Sequence, residues 1–425
     1  LFLFCCCCCC CFFFFFFFLF RGSKMDSLSQ KKLPPIPLEL FRQLPKAELH
    51  CHLDGSVRIE TIIELAKEQG VELPSTDVEE LRSLVTVGRD CASLVEYLRG
   101  FGITLSVLQR DFAITRVMYE VAQDAAADGV RYLEVRFSPV LHTEGGMGLS
   151  QVMRAVVEGQ VMAELNLPIT VRIIVCGMRQ LSPDVTRRLA EICWRYSQQG
   201  VIAFDLAGPE DGFSSELHRA AFDVLRENCV NCTLHSGEAA GWESVRDSIR
   251  YCGAQRIGHG VAIEQNPALL QYVVDRRIAV EVCLTSNLQT KAIPSLEVHP
   301  LRRFFDQGMN CVLCTDNVTV SGVRLSEEYH LAQTAFGFAP EEMLRLIDTG
   351  FRCSFLSYHL RERIRTEAIM KCLLLFENAG YASSSFLLST AHLGPRLTFP
   401  PIESLIDVKE PNFTPELLRR LPKTD

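Results

Sequence analysis

At 425 residues, 48% hydrophobic and 22% charged, the chain can bury a large core, as one α/β barrel or as two smaller domains. A net charge of −8, with no five-residue basic run, argues against nucleic acid as a partner, because phosphate binding draws on an excess of Lys and Arg. Of the 19 Cys, the run Cys5 to Cys11 is a homopolymer and the others lie mostly in apolar patterns, so they read as thiols of a reducing compartment and not as a disulfide framework.

The chain opens on "LFLFCCCCCCCFFFFFFFLF", about the length of a membrane span. Its near-zero complexity, and the lack of a charged leading region or a small-residue cleavage site, make residues 1–24 read as translated repetitive upstream sequence outside the working protein. A signal anchor is the alternative, and it bears on location alone. Without an anchor, the expected location is the cytoplasm and no membrane partner is implied. Residues 25–43 form a lead-in that starts at Met25, 44–385 the main domain, and 386–425 a Pro-containing tail with no recognisable chemistry.

Within the main domain, short β-branched runs alternate with amphipathic stretches, the signature of parallel strands joined by helices. The spacing predicts strands at Ala47–Leu53, Val130–Ser138, Ile169–Cys176, Val201–Ala207, Cys232–His235, Arg256–Gly260, Ala279–Leu284 and Asn310–Thr315. Between them lie helical patterns such as "RIETIIELAKEQG", "LSQVMRAVVEGQVMAEL", "SPDVTRRLAEICWRYSQQG" and "NPALLQYVVDRR". Eight such units fit a (β/α)8 TIM barrel, with extra helices between the first and second strands and after the eighth. In the first insertion Leu94, Tyr97, Leu98 and Phe101 recur at helical spacing. One apolar helix face is ordinarily core packing. Only its place above the barrel mouth suits it to covering a ligand.

Polar residues collect at the carboxyl ends of these strands, where TIM-barrel active sites form. "ELHCHLDG" carries His50, His52 and Asp54, "LHSGE" His235 and Glu238, "RIGHGV" His259, and "CTDN" Asp316 and Asn317. His50 and His52 alternate on one strand, so both face the lumen. Two buried imidazoles side by side are costly without a shared partner such as a metal. Three imidazoles and a carboxylate suit Zn²⁺ with room for water, and Glu238 with His259 supplies the proton handling that hydrolysis needs. "HSGE" alone is weak and matches neither the H-x-E…P-C-x-x-C signature nor H-E-x-x-H. The pairs Cys229/Cys232 and Cys311/Cys314 read as core thiols, since strand residues three apart face opposite ways. "VIAFDLAGPE" offers Asp205 and Gly208 but no Lys to bridge two metals, so one metal per chain is expected.

From about Leu44 to Phe355, "PKAELHCHLDGS", "EVRFSP", "DLAG", "HSGEA", "RIGHGV", "CLTSN" and "CTDN" together resemble the adenosine deaminase family of the amidohydrolase barrels. The resemblance implies one Zn²⁺ on His50, His52, His235 and Asp316, with Glu238 protonating a purine ring nitrogen. It further implies that His259 orients and deprotonates the attacking water. The Gly208 N–H would meet another ring nitrogen, Asp54 and His52 the ribose, and Leu94, Tyr97, Leu98 and Phe101 would form a hydrophobic lid. The implied activity is hydrolysis of adenosine, and of deoxyadenosine, to inosine and ammonia. Alternatives are deamination of adenine or another 6-aminopurine derivative, and a catalytically silent binding relative, against which all the expected residues are present. Two positions depart from the pattern. Asn317 stands where vertebrate-type members carry a second Asp, and Ser236 where many carry Ala. An amide donates a hydrogen bond in its ordinary state, so the contact survives while substrate choice is left open.

Overall fold

The computed structural model describes residues 34–88 and 94–381, apart from the side chains of residues 94–96, 98 and 99. The tract 1–24, most of the lead-in and the tail 386–425 lie outside the described residues, as do the side chains of Leu94 and Leu98. Eight strands follow one another in chain order around a single sheet: β1 Lys46–His52, β2 Val130–Phe137, β3 Thr170–Met178, β4 Val201–Ala207, β5 Asn231–Ser236, β6 Arg256–His259, β7 Ala279–Val282 and β8 Asn310–Leu313. Every neighbouring pair is parallel. The sheet closes through an isolated parallel bridge between Cys51 and Asp316. There the His52 N–H donates to Asp316 O and the Asp316 N–H to His50 O, each at 2.8 Å. This is a TIM barrel, closed at the site where the metal ligands were expected.

Strand alternation explains the mixed sequence of β2. Leu133, Val135 and Phe137 share one face with the apolar residues that helices cover, and Tyr132, Glu134 and Arg136 share the other. The buried apolar cluster runs continuously between strands and helices, and includes Leu49, Leu133, Ile173, Phe204, Leu234, Val280 and Val312. Helix entry follows local chemistry: in "NPALL", Pro267 takes the first helical position, and the Asn266 side chain accepts from the N–H groups of Ala268 and Leu269 at 3.0 and 3.1 Å.

The first insertion folds as helices Ile59–Gln69, Val78–Val85, Leu94–Ser106 and Asp111–Ala127, and helices Val318–Ser321, Leu325–Phe336, Pro340–Arg352 and Tyr358–Asn378 follow β8. β7 is two residues shorter than its apolar run predicts, because Leu284 begins helix Leu284–Gln289. The first N–H groups of that helix, Leu284 and Thr285, are capped by Glu328, a partner 44 and 43 residues away. Among the described residues no helix is long and apolar enough to cross a membrane. Cys311 and Cys314 are buried, as expected of core thiols, whereas Cys229 is exposed, in a turn at φ 55°, and departs from that reading.

Candidate active site

The end of β1 presents His50 and His52, β5 presents His235, and the residue bridging β8 back to β1 is Asp316. Their inner atoms converge. His50 Nε2 lies 3.1 Å from His235 Nε2 and 3.3 Å from Asp316 Oδ1, and His52 Nε2 lies 3.2 and 3.3 Å from the same two atoms. Ligands at 2.0–2.1 Å on a tetrahedral ion stand about 3.3 Å apart, so these spacings are those of a metal shell.

The outer nitrogens say the same. His50 Nδ1 lies 2.8 Å from Glu281 Oε2, and His235 Nδ1 2.9 Å from Asp205 Oδ2. With both Nδ1–H groups donating to carboxylates, two Nε2 lone pairs face each other across 3.1 Å. A cation between them satisfies that arrangement. Such carboxylate partners fix the tautomer and orientation of metal-binding imidazoles. Arg136 links both carboxylates, donating to Asp205 at 3.0 Å and Glu281 at 2.8 Å, and Arg256 binds Glu281 at 2.6 Å and also Glu134. Burial would raise Glu281 and Asp205, but the opposing charges hold both well below the usual carboxylate range.

Asp316 divides its oxygens. Oδ1 faces the imidazoles, while Oδ2 accepts from Ser286 Oγ at 2.7 Å. Burial pushes its carboxyl up, but His50, by hydrogen bond and charge, together with His259 and His52, holds it well below its ordinary value. Burial, the largest influence, keeps His52 well down and hence neutral.

His259 also belongs to this cluster: the ligand atoms of His50, His235, His259 and Asp316 all lie within 4.8 Å of one another. Two observations favour His52 as the fourth ligand. Its Nε2 makes the shorter contacts given above, and His259 is engaged elsewhere, with Nδ1 2.9 Å from Asn287 Nδ2 and Nε2 3.5 Å from Glu238 Oε2.

Glu238 rides on the loop after β5. Thr290 Oγ1 donates to its Oε1 at 2.9 Å. The loop backbone is held by buried Glu210, whose carboxylate accepts from the N–H groups of Gly237, Glu238, Ala239 and Ala240 at 2.5, 3.0, 2.8 and 3.1 Å. Gly208, exposed at the end of β4, has φ 92°, and a Cβ there would lie 2.4 Å from Gln180 Oε1, so both conformation and space require glycine.

Asp54 is 5% exposed, and its Oδ1 has no hydrogen-bond partner among the described residues. Burial pushes its carboxyl up to about 6. Asn317 packs against Gly55 so closely that a Cβ on Gly55 would fall 1.8 Å from Asn317 Oδ1. Its Nδ2 donates to the Tyr97 hydroxyl at 2.7 Å, and that hydroxyl stands 3.0 Å from Ser321 Oγ and 3.5 Å from Asp316 Oδ2. Tyr97 therefore reaches into the site with a polar end, where the lid expectation assigned it an apolar part, and Phe101 packs partly buried beside it.

The sequence did not single out Glu210, Glu281, Ser286, Asn287, Thr290 or His299. For Glu281 a signal existed, a charge inside the apolar strand run "IAVEVCL", since a charge so placed requires a partner.

A closed barrel with three imidazoles, a carboxylate, and a Glu–His pair at its carboxyl mouth defines a metal-dependent hydrolase. The adenosine deaminase family profile matches residues 45–371. A probable adenosine deaminase of Dictyostelium discoideum is 50% identical over 406 residues, covering 92% of this chain, which spans about half (52%) of that relative. An adenosine deaminase of Clostridium acetobutylicum is 38% identical, with 75% of this chain and 95% of the relative covered. Among solved structures, the N6-methyl-AMP deaminase of Arabidopsis thaliana superposes with a TM-score of 0.70 at 27% identity, covering 78% of this chain and 98% of that one. The chain belongs to the adenosine deaminase family, as an adenosine deaminase-like hydrolase with an intact His/His/His/Asp metal site.

Proposed function

We propose that the protein hydrolyses the 6-amino group of adenosine, and of deoxyadenosine, to give inosine and ammonia, with one zinc per chain on His50, His52, His235 and Asp316. The observation that carries this reading is the convergence of those donor atoms, at 3.1–3.3 Å spacing, beside Glu238 and His259. Zinc, when bound there, makes a water acidic near neutral pH and so supplies the nucleophile.

Addition of water to the amino-bearing carbon breaks aromaticity and builds charge on the neighbouring ring nitrogen. Glu238 in its acid form neutralises that charge by giving its proton to the nitrogen. Thr290 on Oε1 leaves Oε2 toward the reacting atoms. Two groups would flank the attacking water, Glu238 Oε2 and His259 Nε2, which stand 3.5 Å apart. The remaining proton of the added hydroxyl passes to the amino group, and re-formation of the ring with a C=O at that carbon expels ammonia.

The Asp54 carboxyl, buried with one oxygen that no described residue pairs, suits a ribose hydroxyl and would repel a phosphate, which favours a nucleoside. A 6-aminopurine nucleotide is the second reading, supported by the likeness to the N6-methyl-AMP deaminase at 27% identity.

Ammonia release from purified protein, offered adenosine, deoxyadenosine, adenine, AMP and N6-methyl-AMP, separates these substrates. Glu238→Gln should keep its zinc and lose roughly 10²–10⁴ in turnover, the worth of a positioned proton donor. Near-normal turnover in that variant, or two zinc ions per chain by elemental analysis, would sink the scheme.

A further inference from the structure

Behind the face that His259 turns to the site runs a chain of two buried side chains that the reaction scheme leaves unused. Helix Leu284–Gln289 brings Asn287 against the ring, with Nδ2 2.9 Å from His259 Nδ1. On its other side Asn287 Oδ1 lies 3.3 Å from His299 Nε2. The chain ends on a backbone group: the Leu301 N–H donates to His299 Nδ1 at 3.0 Å. His259, Asn287 and His299 are 1%, 0% and 3% exposed, so water does not substitute for these contacts.

The direction of every hydrogen bond follows from that last one. A backbone N–H can only donate, so His299 Nδ1 accepts, and the neutral ring carries its proton on Nε2. That proton needs an acceptor, and Asn287 Oδ1 is within reach. With Oδ1 so used, the amide offers its Nδ2–H to His259, whose Nδ1 must then accept as well. Neutral His259 is left with its proton on Nε2, the nitrogen facing Glu238. A doubly protonated His259 would set an Nδ1–H against an amide N–H, which the chain also opposes.

We infer that His299 and Asn287 are positioning residues that lock His259 as an Nε2–H donor, so that it hydrogen-bonds to the attacking oxygen and does not take its proton. The inference rests on the reaction proposed above, and corrects the base role that the family resemblance implies for His259. Burial, helped by Arg303 and His259, holds the His299 imidazole down to about 3, consistent with a ring that stays neutral. Glu238 then shuttles the proton. Its carboxylate takes one from the attacking water, the acid form gives it to the ring nitrogen, and the sum is one proton moved from water to purine as the C–O bond forms.

The test reads the tautomer directly. The zinc-loaded enzyme is labelled with ¹⁵N-histidine, and long-range N–H correlation spectra are recorded, with His259 identified by the signal lost in His259→Gln. The expected result is a protonated Nε2 and a bare Nδ1. Asn287→Asp exchanges the donor for an acceptor of the same shape, and should move the proton to Nδ1 while lowering kcat roughly 10²-fold with KM little changed. A wild-type His259 protonated on Nδ1 overturns the inference, and that spectrum decides even if the variant does not fold. Wild-type kcat in Asn287→Asp with the proton moved would overturn the donor role. An Nε2–H tautomer in a protein that releases no ammonia from any purine would sink the proposed reaction and leave the lock standing.

Discussion

His259 and Asp316 hold their backbones at φ 63° and 65°, a region that costs a residue with a Cβ on the order of 1–3 kcal/mol. Both are held there by their surroundings: Asp316 exchanges two backbone hydrogen bonds with His50 and His52, and the Gly260 N–H beside His259 donates to Ser236 O at 3.1 Å. The strained bond aims each side chain into the barrel mouth. Tyr97 acts on the same atoms from above. Its hydroxyl accepts from Asn317 Nδ2 at 2.7 Å, which leaves the second amide hydrogen for a ligand. Tyr97→Phe strands that buried donor, so we expect a loss of about 1–3 kcal/mol in stability and a raised KM for adenosine with kcat less affected. Thermal denaturation and initial rates check this, and an unchanged KM would reduce Tyr97 to a packing residue.

At the scale of elements, the loop after β5 is set by Glu210, one carboxylate holding four successive N–H groups. Glu210→Gln substitutes an NH₂ for one acceptor oxygen and turns it against those donors. We expect turnover to fall by roughly 10- to 10²-fold through misplaced Glu238, with zinc content unchanged; equal activity would show that the loop holds itself. Glu210 lies in "GPEDG", which reads as an ordinary polar loop, and its partners are 27 to 30 residues away. That distance marks the limit of what the sequence discloses. The β-branched runs and their alternation with helices made all eight strands legible, and the strand ends disclosed the His and Asp residues that the barrel mouth brings together, because both are local patterns. Asp205 appeared as the end of a strand, but its tie to Arg136 spans 69 residues and that of Arg136 to Glu281 spans 145. Only closure of the barrel brings those charges together. The same holds for Asn287 and His299, whose identities are unremarked until their ring contacts are seen.

At the scale of the whole molecule, two buried carboxyls make stability depend on pH. Burial pushes Glu48 up to about 8 and Glu328 up to about 7, from an ordinary 4.5. Between about pH 4.5 and these values the native chain holds protons that the unfolded chain has released, so stability falls as pH rises, by up to about 1.4 kcal/mol per unit for each group. Glu328→Gln removes one share, so its stability curve should be flatter than the wild type's between about pH 5 and 7; parallel curves would show that Glu328 does not titrate there. A metal on the proposed ligands would act on the molecule at a different place. Those residues come from β1, β5 and the position that closes β8 onto β1, a seam joined by the bridge at Cys51 and Asp316 and not by a full ladder. An ion at this point ties the two ends of the sheet to its middle, and the unfolded chain cannot offer the same site. Binding free energy therefore adds to folding free energy, by about 4 kcal/mol at a thousandfold excess over Kd. Without the ion the facing Nε2 atoms of His50 and His235 must take up protons or separate. Chelation should thus lower Tm and speed backbone hydrogen exchange first along the β8–β1 seam, with both restored by stoichiometric zinc. If the metal-free protein keeps its Tm and its seam protection, the barrel closes on its packing alone and the ion serves only the chemistry.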